Sequence, residues 1–260
     1  MRALVRDART RRDRHAFVLE GARVVAGALD RDAPMQAVYV DAGTTRPDDD
    51  ALIARLRDAG VPVREVARGV LARVASTVTP QPVVAVATWR DVSPRDAFAE
   101  FAGDGAVVVA VDVADPGNAG TIMRSAEAAG VAGLVFCGNS VDPHNPKVVR
   151  ASAGAIFGIP VVEGEDPVHV LDALGAQRRR SVAAVARAGT PYDRCDLRGP
   201  VVLVVGGEAR GLSDAVVERA DERVTIPMAG RAESLNVGVA CSVLAFEAAR
   251  QRRAHAEDAP

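Results

Sequence analysis

Three short segments of this 260-residue chain gather side chains that could bind a ligand and act on it. The first segment carries Asn118 and Arg124, the second carries Glu208, and the third carries Ser234 and Asn236. Together they supply a fixed cation, a carboxylate, two amides and a hydroxyl, and a guanidinium in particular binds anionic groups. The segments are far apart in the sequence, so they can act together only if the fold brings them to one place.

Each of these segments follows a strand-like stretch rich in valine. Residues 106–114, before the first segment, form an almost unbroken apolar run, which is typical of a parallel strand buried on both faces. Helical segments separate most of the strand candidates, so we predict an α/β fold with an open, mostly parallel sheet. Ligands of such sheets bind in loops after the carboxyl ends of the strands, where the three segments would converge on one cleft. The other strand candidates are 131–138, 159–164, 181–186, 200–207 and 222–228.

Local structure offers a simpler explanation for each polar residue taken alone. Asn118 is a candidate N-cap of the helix that follows it, with Arg124 as a solvated side chain of that helix. A carboxylate near a helix N-terminus is favourable by itself, which would account for Glu208. Capping of the last helix would account for one of Ser234 and Asn236. These explanations remain open for the single loops.

The first part of the chain also alternates helical and strand-like stretches. We predict a small α/β domain over residues 1–92, a linker over 93–104 and a second domain over 105–255. Within the first domain, apolar residues at helical spacing predict a helix over 16–29. Further helices are predicted over 51–60 and from Gly69, and strands over 36–41, 61–66 and 83–88.

The charge of the chain limits how it could bind nucleic acid. The formal net charge is −2, so any contact with a polyanion must come from a local patch. The first fourteen residues are such a patch, because six arginines face two aspartates, although a frayed and solvated terminus would have the same composition. Aromatic residues make up 3% of the chain, which argues against a surface of many stacking rings. The arginines are Arg2, Arg6, Arg9, Arg11, Arg12 and Arg14.

The cysteines and histidines suggest neither a disulfide framework nor a metal site. Cys137, Cys195 and Cys241 are far apart and odd in number, which fits a reduced, cytoplasmic protein. The four histidines are dispersed, so we expect no metal. The start of the chain is too polar for a signal peptide, and no apolar run reaches transmembrane length, so we expect no membrane partner.

With these loops in view, the chain resembles the SpoU (TrmH-like) family of RNA ribose 2′-O-methyltransferases, in the SPOUT superfamily. That family has three motifs in the same order, and the likeness covers about residues 107–250. The first, N-x-G-x-x-x-R, is matched by Asn118, Gly120 and Arg124. The second, G-x-E-x-x-G-[LM], is matched by Gly206, Glu208, Gly211 and Leu212. The third and most specific motif is matched by Ile226, Pro227, Met228, Gly230, Ser234, Leu235, Asn236 and Ala240.

The resemblance has implications for the fold and for the ligands. It implies an α/β domain with a deep trefoil knot, a homodimer whose active site draws on both subunits, and S-adenosyl-L-methionine as cofactor. The N-terminal half is similar to the family's ribosomal-protein-like substrate-binding domain, in residues 17–21 and 79–86. The cofactor contacts implied for this sequence are Gly206, Ile226, Met228, Leu235 and Asn236.

The resemblance also implies a reaction, methyl transfer to a ribose 2′-hydroxyl of structured RNA. The catalytic residues implied are Arg124, Asn118, Glu208, Ser234 and Asn236. A guanidinium is almost always protonated, so we favour Arg124 as a cation that supports the developing oxyanion over Arg124 as a base. Glu208 would then orient Arg124 or a substrate group.

Several substrates and one different class of function stay open. The two-domain layout favours 23S ribosomal RNA, with tRNA methylation or a ribosomal RNA methyltransferase of thiopeptide resistance as alternatives. A catalytically inactive RNA-binding protein of the same fold is the alternative outside enzymology. A nucleotide-binding α/β enzyme unrelated to RNA is disfavoured, because its glycine-rich fingerprints are absent.

Overall fold

The computed structural model describes residues 1–43, 45–75, 80–89, 94–99, 101, 103, 105–164, 166–208 and 210–257. The chain forms two compact units. The N-terminal unit comprises Met1–Asp91 and His144–Gly158, and the C-terminal unit comprises Val92–Pro143 and Ile159–Pro260. Of the helices in the described ranges, none combines the length and the apolar character that a membrane span requires.

The N-terminal unit is built on a four-stranded sheet of order β1-β4-β2-β3. β4 is antiparallel to both of its neighbours, whereas β3 is parallel to β2. The strands are β1 (Ala16–Glu20), β2 (Met35–Asp41), β3 (Val63–Val66) and β4 (Val83–Thr88). The helices are α1 (Arg2–Arg6), α2 (Ala8–Arg14), α3 (Ala22–Leu29), α4 (Pro47–Asp58) and a 3₁₀ turn at Leu71–Arg73.

The single helix predicted over residues 16–29 is wrong. Ala16–Glu20 forms β1, which is buried throughout and pairs with β4, and the helix α3 begins only at Ala22. Gly21 separates the two elements with a φ of 103°, a conformation that L side chains rarely adopt. A short strand buried on all sides shows no alternation of polar residues, so periodicity cannot distinguish it from a buried helix.

One segment from the second half of the sequence belongs to the N-terminal unit. His144–Gly158 contains α7 (Pro146–Ala151), which packs against β1. The ring of His144 stacks on Trp89 with their centroids 3.9 Å apart. Of the predicted linker, Pro94–Ala99 forms α5, whereas residues 93, 100, 102 and 104 lie outside the described part of the chain, as does Thr79 of the family-like stretch 79–86.

The C-terminal unit contains a seven-stranded sheet of order β7-β6-β5-β10-β8-β11-β9, and all of its strand pairs are parallel. The predicted α/β fold with a mostly parallel sheet is therefore confirmed. The strands are β5 (Val107–Val111), β6 (Gly133–Cys137), β7 (Val161–Glu163), β8 (Arg180–Ala184), β9 (Thr190–Pro191), β10 (Val201–Gly206) and β11 (Glu222–Thr225). The remaining helices are α6 (Pro116–Ala128), α8 (Pro167–Ala176), α9 (Asp214–Arg219) and α10 (Val237–Glu257).

The strands β5 and β10 lie side by side inside this sheet and are its most buried pair of valine-rich strands. β6 and β7 lie on one side of the pair, whereas β8 and β11 lie on the other. The sheet therefore extends from the β5–β10 pair towards β7 on one side and towards β9 on the other, so the strand order reverses between β5 and β10. In open parallel sheets, such a switch point opens a crevice at the carboxyl ends of the strands, and the first two motif loops follow β5 and β10 at that edge.

Candidate active site

The first motif loop leads from β5 into α6. Asp115 is the N-cap of α6, because its carboxylate accepts a hydrogen bond of 2.8 Å from the backbone N–H of Asn118. The prediction of Asn118 as the N-cap is therefore wrong. The cap lies three residues earlier, which leaves the side chain of Asn118 free to make other contacts.

The side chain of Asn118 joins the three motif loops. Its Nδ2 donates to Oε1 of Glu208 in the second loop, and its Oδ1 accepts from Nδ2 of Asn236 in the third loop at 2.8 Å. Each motif thus contributes one residue to a continuous hydrogen-bonded chain, which we call the Asn118 bridge. The three segments meet in the fold, as their positions after parallel strands predicted.

Asn236 has two roles at once. Its Oδ1 accepts hydrogen bonds from the backbone N–H groups of Gly238, at 2.9 Å, and Val239, at 3.3 Å, and so caps α10. Its Nδ2 is left for Asn118. Capping and participation in the site are therefore not alternatives here, because the amide has a separate atom for each.

The second motif loop folds tightly against the end of β5. The N–H of Gly207 donates to Val111 O at 2.8 Å, and the N–H of Gly211 donates back to Gly207 O at 3.0 Å. A Cβ on Gly207 would overlap the carbonyl oxygen of Asp112, and a Cβ on Gly206 would overlap the backbone of Gly211. The glycines are thus required by close backbone contacts within the protein. Ala209 lies outside the described residues.

A cavity of about 360 Å³ adjoins the Asn118 bridge. Four of the five predicted cofactor residues line it, namely Gly206, Ile226, Met228 and Leu235. Glu208 and Ser234 line it as well, whereas Asn118, Arg124 and Asn236 do not. The sequence analysis did not identify several further lining residues, among them Ala184, Val185, Ala186, Glu233, Val237 and Leu244. The first three lie at the carboxyl end of β8, and only the strand order shows that β8 lies next to β10.

Arg124 is exposed on α6 and stands apart from these contacts. It has neither an ion pair nor a side-chain hydrogen bond with any residue that the structure describes. Glu208, which we expected to orient Arg124 or a substrate group, bonds to Asn118, and no bond between Glu208 and Arg124 is found among the described residues. The donors of the guanidinium are therefore available to a ligand.

Small residues let the helices α6 and α10 approach each other closely. A Cβ on Gly238 would lie 3.0 Å from the side chain of Thr121, so a larger residue there would push the helices apart. One turn further on, the hydroxyls of Ser125 and Ser242 are 2.6 Å apart. This packing places Asn118, near the start of α6, beside Asn236 at the start of α10.

Comparison with known protein families accounts for both units. The model of the SpoU rRNA methylase family matches residues 105–246, which is more than half of the chain. The chain belongs to the SpoU rRNA methylase family. Residues 1–85 match a second model, the MRM3-like substrate binding domain. The predicted family is confirmed, and with it the predicted enzyme class of RNA methyltransferase.

The curated relatives include ribosomal RNA methyltransferases. The chain is 37% identical over 238 residues to the 23S rRNA (guanosine-2′-O-)-methyltransferase RlmB of Xanthomonas axonopodis pv. citri, covering 89% of this chain and 95% of the relative. It is 39% identical over 142 residues to the 23S rRNA (uridine(2479)-2′-O)-methyltransferase of Streptomyces viridochromogenes, covering 53% of this chain and 50% of that one. The match to a relative from Synechocystis spans 65% of that relative's length.

Solved structures divide according to how much of the chain they cover. The SpoU methyltransferase AviRb from Streptomyces viridochromogenes, in complex with AdoMet, covers 97% of this chain and 96% of its own, with a TM-score of 0.83 and 30% identity. By contrast, a structure described for the 2′-OH methylation of C/U34 on tRNA covers 57% of this chain and 96% of its own chain, with a TM-score of 0.53 and 30% identity.

Proposed function

We propose that this protein transfers a methyl group from S-adenosyl-L-methionine to a ribose 2′-hydroxyl of 23S ribosomal RNA. The observation that carries the proposal is the Asn118 bridge beside the cavity of the second and third motifs. It places polar groups from all three family motifs at the edge of a pocket large enough for a small-molecule cofactor.

The lining of the cavity suits the proposed cofactor. Ile226, Met228 and Leu235 offer apolar surface to a purine ring, and Gly206 brings a bare backbone close to the ligand. Glu208 and Glu233 add carboxylates, which favour the positive charges of a sulfonium and an amino group. Bound there, the cofactor would supply an electrophilic methyl group on its sulfonium. We propose Asn236, at the rim, as the fifth cofactor residue.

The remaining motif residues would handle the ribose. We propose that Arg124 holds a phosphate and stabilises the negative charge that develops on the 2′-oxygen, because its guanidinium donors are not used by any described residue. Asn118 and Glu208 would position the ribose through the Asn118 bridge, and Ser234 would complete the pocket wall. The transfer forms a bond between the 2′-oxygen and the methyl carbon, breaks the bond between that carbon and the sulfur, and releases the hydroxyl proton to the solvent. None of these events requires a metal ion, so we propose that the reaction uses none.

Ribosomal RNA is favoured over tRNA by the N-terminal unit. AviRb matches the chain across both units, whereas the tRNA enzyme leaves more than a third of the chain unmatched. The full-length relative RlmB is named for 23S ribosomal RNA. We therefore propose that residues 1–92 form the substrate-binding domain, that 93–104 link it to the methyltransferase domain over 105–255, and that the enzyme works in the cytoplasm, where its substrate is.

We also propose that the protein forms a homodimer through α10. Separately, we propose that the C-terminal unit contains a trefoil knot. Val239 and Phe246 are 45% and 47% exposed, and with the half-buried Val243 they form an apolar stripe at helical spacing on the outer side of α10. Large apolar side chains in a row commonly mark a protein interface. The knot is supported by the family fold and by the likeness to AviRb.

Methyl incorporation into RNA tests the function directly. We expect label from S-adenosylmethionine to enter 23S ribosomal RNA that is isolated from a strain without the gene. We also expect this RNA to lack one 2′-O-methyl site that is present in the parent strain.

Arg124→Lys should lower the rate of methylation about a hundredfold, since an ammonium cannot replace the guanidinium fork. The control Arg178→Lys changes an exposed arginine of the same unit and should keep full activity. Near-normal methylation by Arg124→Lys would rule out the guanidinium role, and absence of any incorporation would rule out the function.

A further inference from the structure

The first fourteen residues carry a large excess of positive charge. Six arginines and two aspartates give them a net charge of +4. Because the whole chain has a net charge of −2, the remaining residues together carry −6. A polyanion that approaches this protein is therefore attracted by this stretch, whereas the summed charge of the remaining residues repels it.

This stretch is part of the folded N-terminal unit and does not form a frayed terminus. Leu4 of α1 is buried in a core cluster. Arg11 of α2 is buried as well, and its guanidinium donates to the carbonyl of Leu4 at 2.7 Å and to that of Val5 at 3.4 Å. One buried arginine thus ties α2 to α1. The partners of Leu4 in the cluster are Ala16, Val18, Leu71, Val84 and Val86.

Both ends of α2 are fixed. At its start, the Asp7 carboxylate accepts from the N–H groups of Arg9 and Thr10 at 3.2 and 2.9 Å. At its end, His15 adopts a left-handed conformation with a φ of 45°, and β1 begins at the next residue. The helix therefore passes through a single residue into β1, a buried edge strand of the sheet, which leaves it little freedom to move.

Four of the other five arginines of this stretch point to solvent. Arg2, Arg6 and Arg14 are exposed and make no ion pair or side-chain hydrogen bond with a described residue. Arg9 forms an ion pair of 3.8 Å with Asp13, in which the side chains are 87% and 67% exposed. Such an exposed pair contributes little and exchanges readily with another anion. We call these four arginines the α1–α2 basic face.

We propose that the α1–α2 basic face binds the phosphate backbone of the RNA substrate. The inference rests on the proposed function and adds to it the place where the RNA backbone contacts the N-terminal unit. Arginine suits phosphate, because its planar fork makes paired hydrogen bonds to the oxygens. Contacts of this kind set the affinity and position of an RNA without reading its sequence. They also offset the repulsion expected from an otherwise acidic chain.

The test is the salt dependence of RNA binding, measured with a 24-base-pair RNA duplex and the full-length protein. The first variant changes Arg2, Arg6 and Arg14 to Gln. The matched control changes Arg57, Arg64 and Arg68 to Gln, which are exposed arginines of the same unit without a described side-chain partner. Both variants lose three positive charges, so they differ only in where those charges were.

We expect the first variant to bind the duplex at least tenfold more weakly at 0.1 M salt, with a slope of log affinity against log salt that is lower by about 1 per arginine. The control should stay within twofold of the original protein, and Arg→Lys at positions 2, 6 and 14 should restore most of the affinity. Equal losses in both triple variants, or no loss in the first, would overturn the proposal. Because duplex binding needs no methyl transfer, these outcomes are separate from those of the incorporation assay, which tests the function itself.

Discussion

At the scale of single residues, the site depends on which side-chain atoms are used for helix capping and which remain available for other hydrogen bonds. Asp115 caps α6, so Asn118 keeps both of its side-chain atoms for the loops around it. Asn236 uses its oxygen for α10 and its nitrogen for Asn118. The two amides are therefore oriented before any ligand binds, which lowers the cost of ordering the site in the reaction.

Removal of the central amide should impair methyl transfer more than cofactor binding. Asn118→Ala breaks both bonds of the Asn118 bridge and leaves Glu208 without that partner. Each bond is worth about 1 kcal/mol, so we expect methylation to slow at least tenfold. The affinity for S-adenosylmethionine, measured by calorimetry, should change less than threefold, because Asn118 does not line the cavity. Asn139→Ala removes an exposed amide outside the bridge and should leave both quantities unchanged. Equal loss of cofactor affinity and rate would contradict a positioning role.

The buried thiols should make the protein sensitive to alkaline pH. Burial raises the pKa of Cys137 from 9.0 to about 12, helped by the nearby Asp166 and Asp112 carboxylates, and burial alone raises the pKa of Cys241 to about 12. The unfolded chain loses these protons near pH 9, whereas the folded chain keeps them. Their contribution to stability is therefore complete below pH 9 and is lost as the pH rises from 9 towards 12.

We expect each of these two thiols to reduce the free energy of unfolding by about 1 kcal/mol between pH 8 and pH 10, as measured by urea denaturation. The double variant Cys137→Ala, Cys241→Ala should show a correspondingly smaller drop over the same range. An identical pH dependence in both proteins would show that the thiols titrate in the fold as they do in the unfolded chain.

At the scale of elements, the second motif depends on how closely its loop approaches the end of β5. Gly207 lies directly over the carbonyl of Asp112, a residue with a φ of 55°, and the two strands β5 and β10 fix this approach. The same position would tolerate a side chain if the loop projected away from the sheet. The need for glycine is thus set by the packing of two strands that are distant in the sequence.

A methyl group at this position should be destabilising. Gly207→Ala would overlap the backbone of Asp112, and we expect a loss of about 1–3 kcal/mol in the free energy of unfolding together with weaker cofactor binding. Gly230→Ala is the matched control, because a Cβ there meets nothing within 4 Å. Thermal unfolding and calorimetry measure the two effects. Equal stability of the two variants would mean that the loop moves aside without cost.

At the scale of the whole molecule, one face of α10 has no packing partner among the residues that the structure describes. The opposite face packs on α6 and β10, whereas Val239 and Phe246 remain exposed. Asn236 caps the start of the helix, so a second subunit bound along it would lie next to the Asn118 bridge. This arrangement connects the proposed dimer with the proposed site.

A charge on this face should separate the subunits. We expect Phe246→Asp to weaken the dimer at least tenfold, because a buried aromatic anchor commonly contributes 2 kcal/mol or more to an interface. Methylation should fall together with the dimer fraction, measured by analytical ultracentrifugation over a concentration series. Val70→Asp alters an exposed valine of the N-terminal unit, 39% accessible, and should leave the oligomeric state as it is. A monomeric original protein, or a dimeric Phe246→Asp, would refute the interface.

The sequence by itself determined the fold class, the family and the strand ends where the polar residues lie. Valine runs between helical stretches are sufficient for a parallel sheet, and a parallel sheet collects its loops at one edge. Only the tertiary structure decided that Ala16–Glu20 is a strand, that the side chain of Asn118 joins Glu208 and Asn236, and that the basic terminus is built into a core. The reason is physical: each of these outcomes depends on a contact with a distant part of the chain, such as β4 beside β1, Glu208 and Asn236 beside Asn118, or Val84 beside Leu4. Periodicity and capping rules describe only neighbours in sequence, so they predict where elements lie and leave open which of their atoms remain free to act.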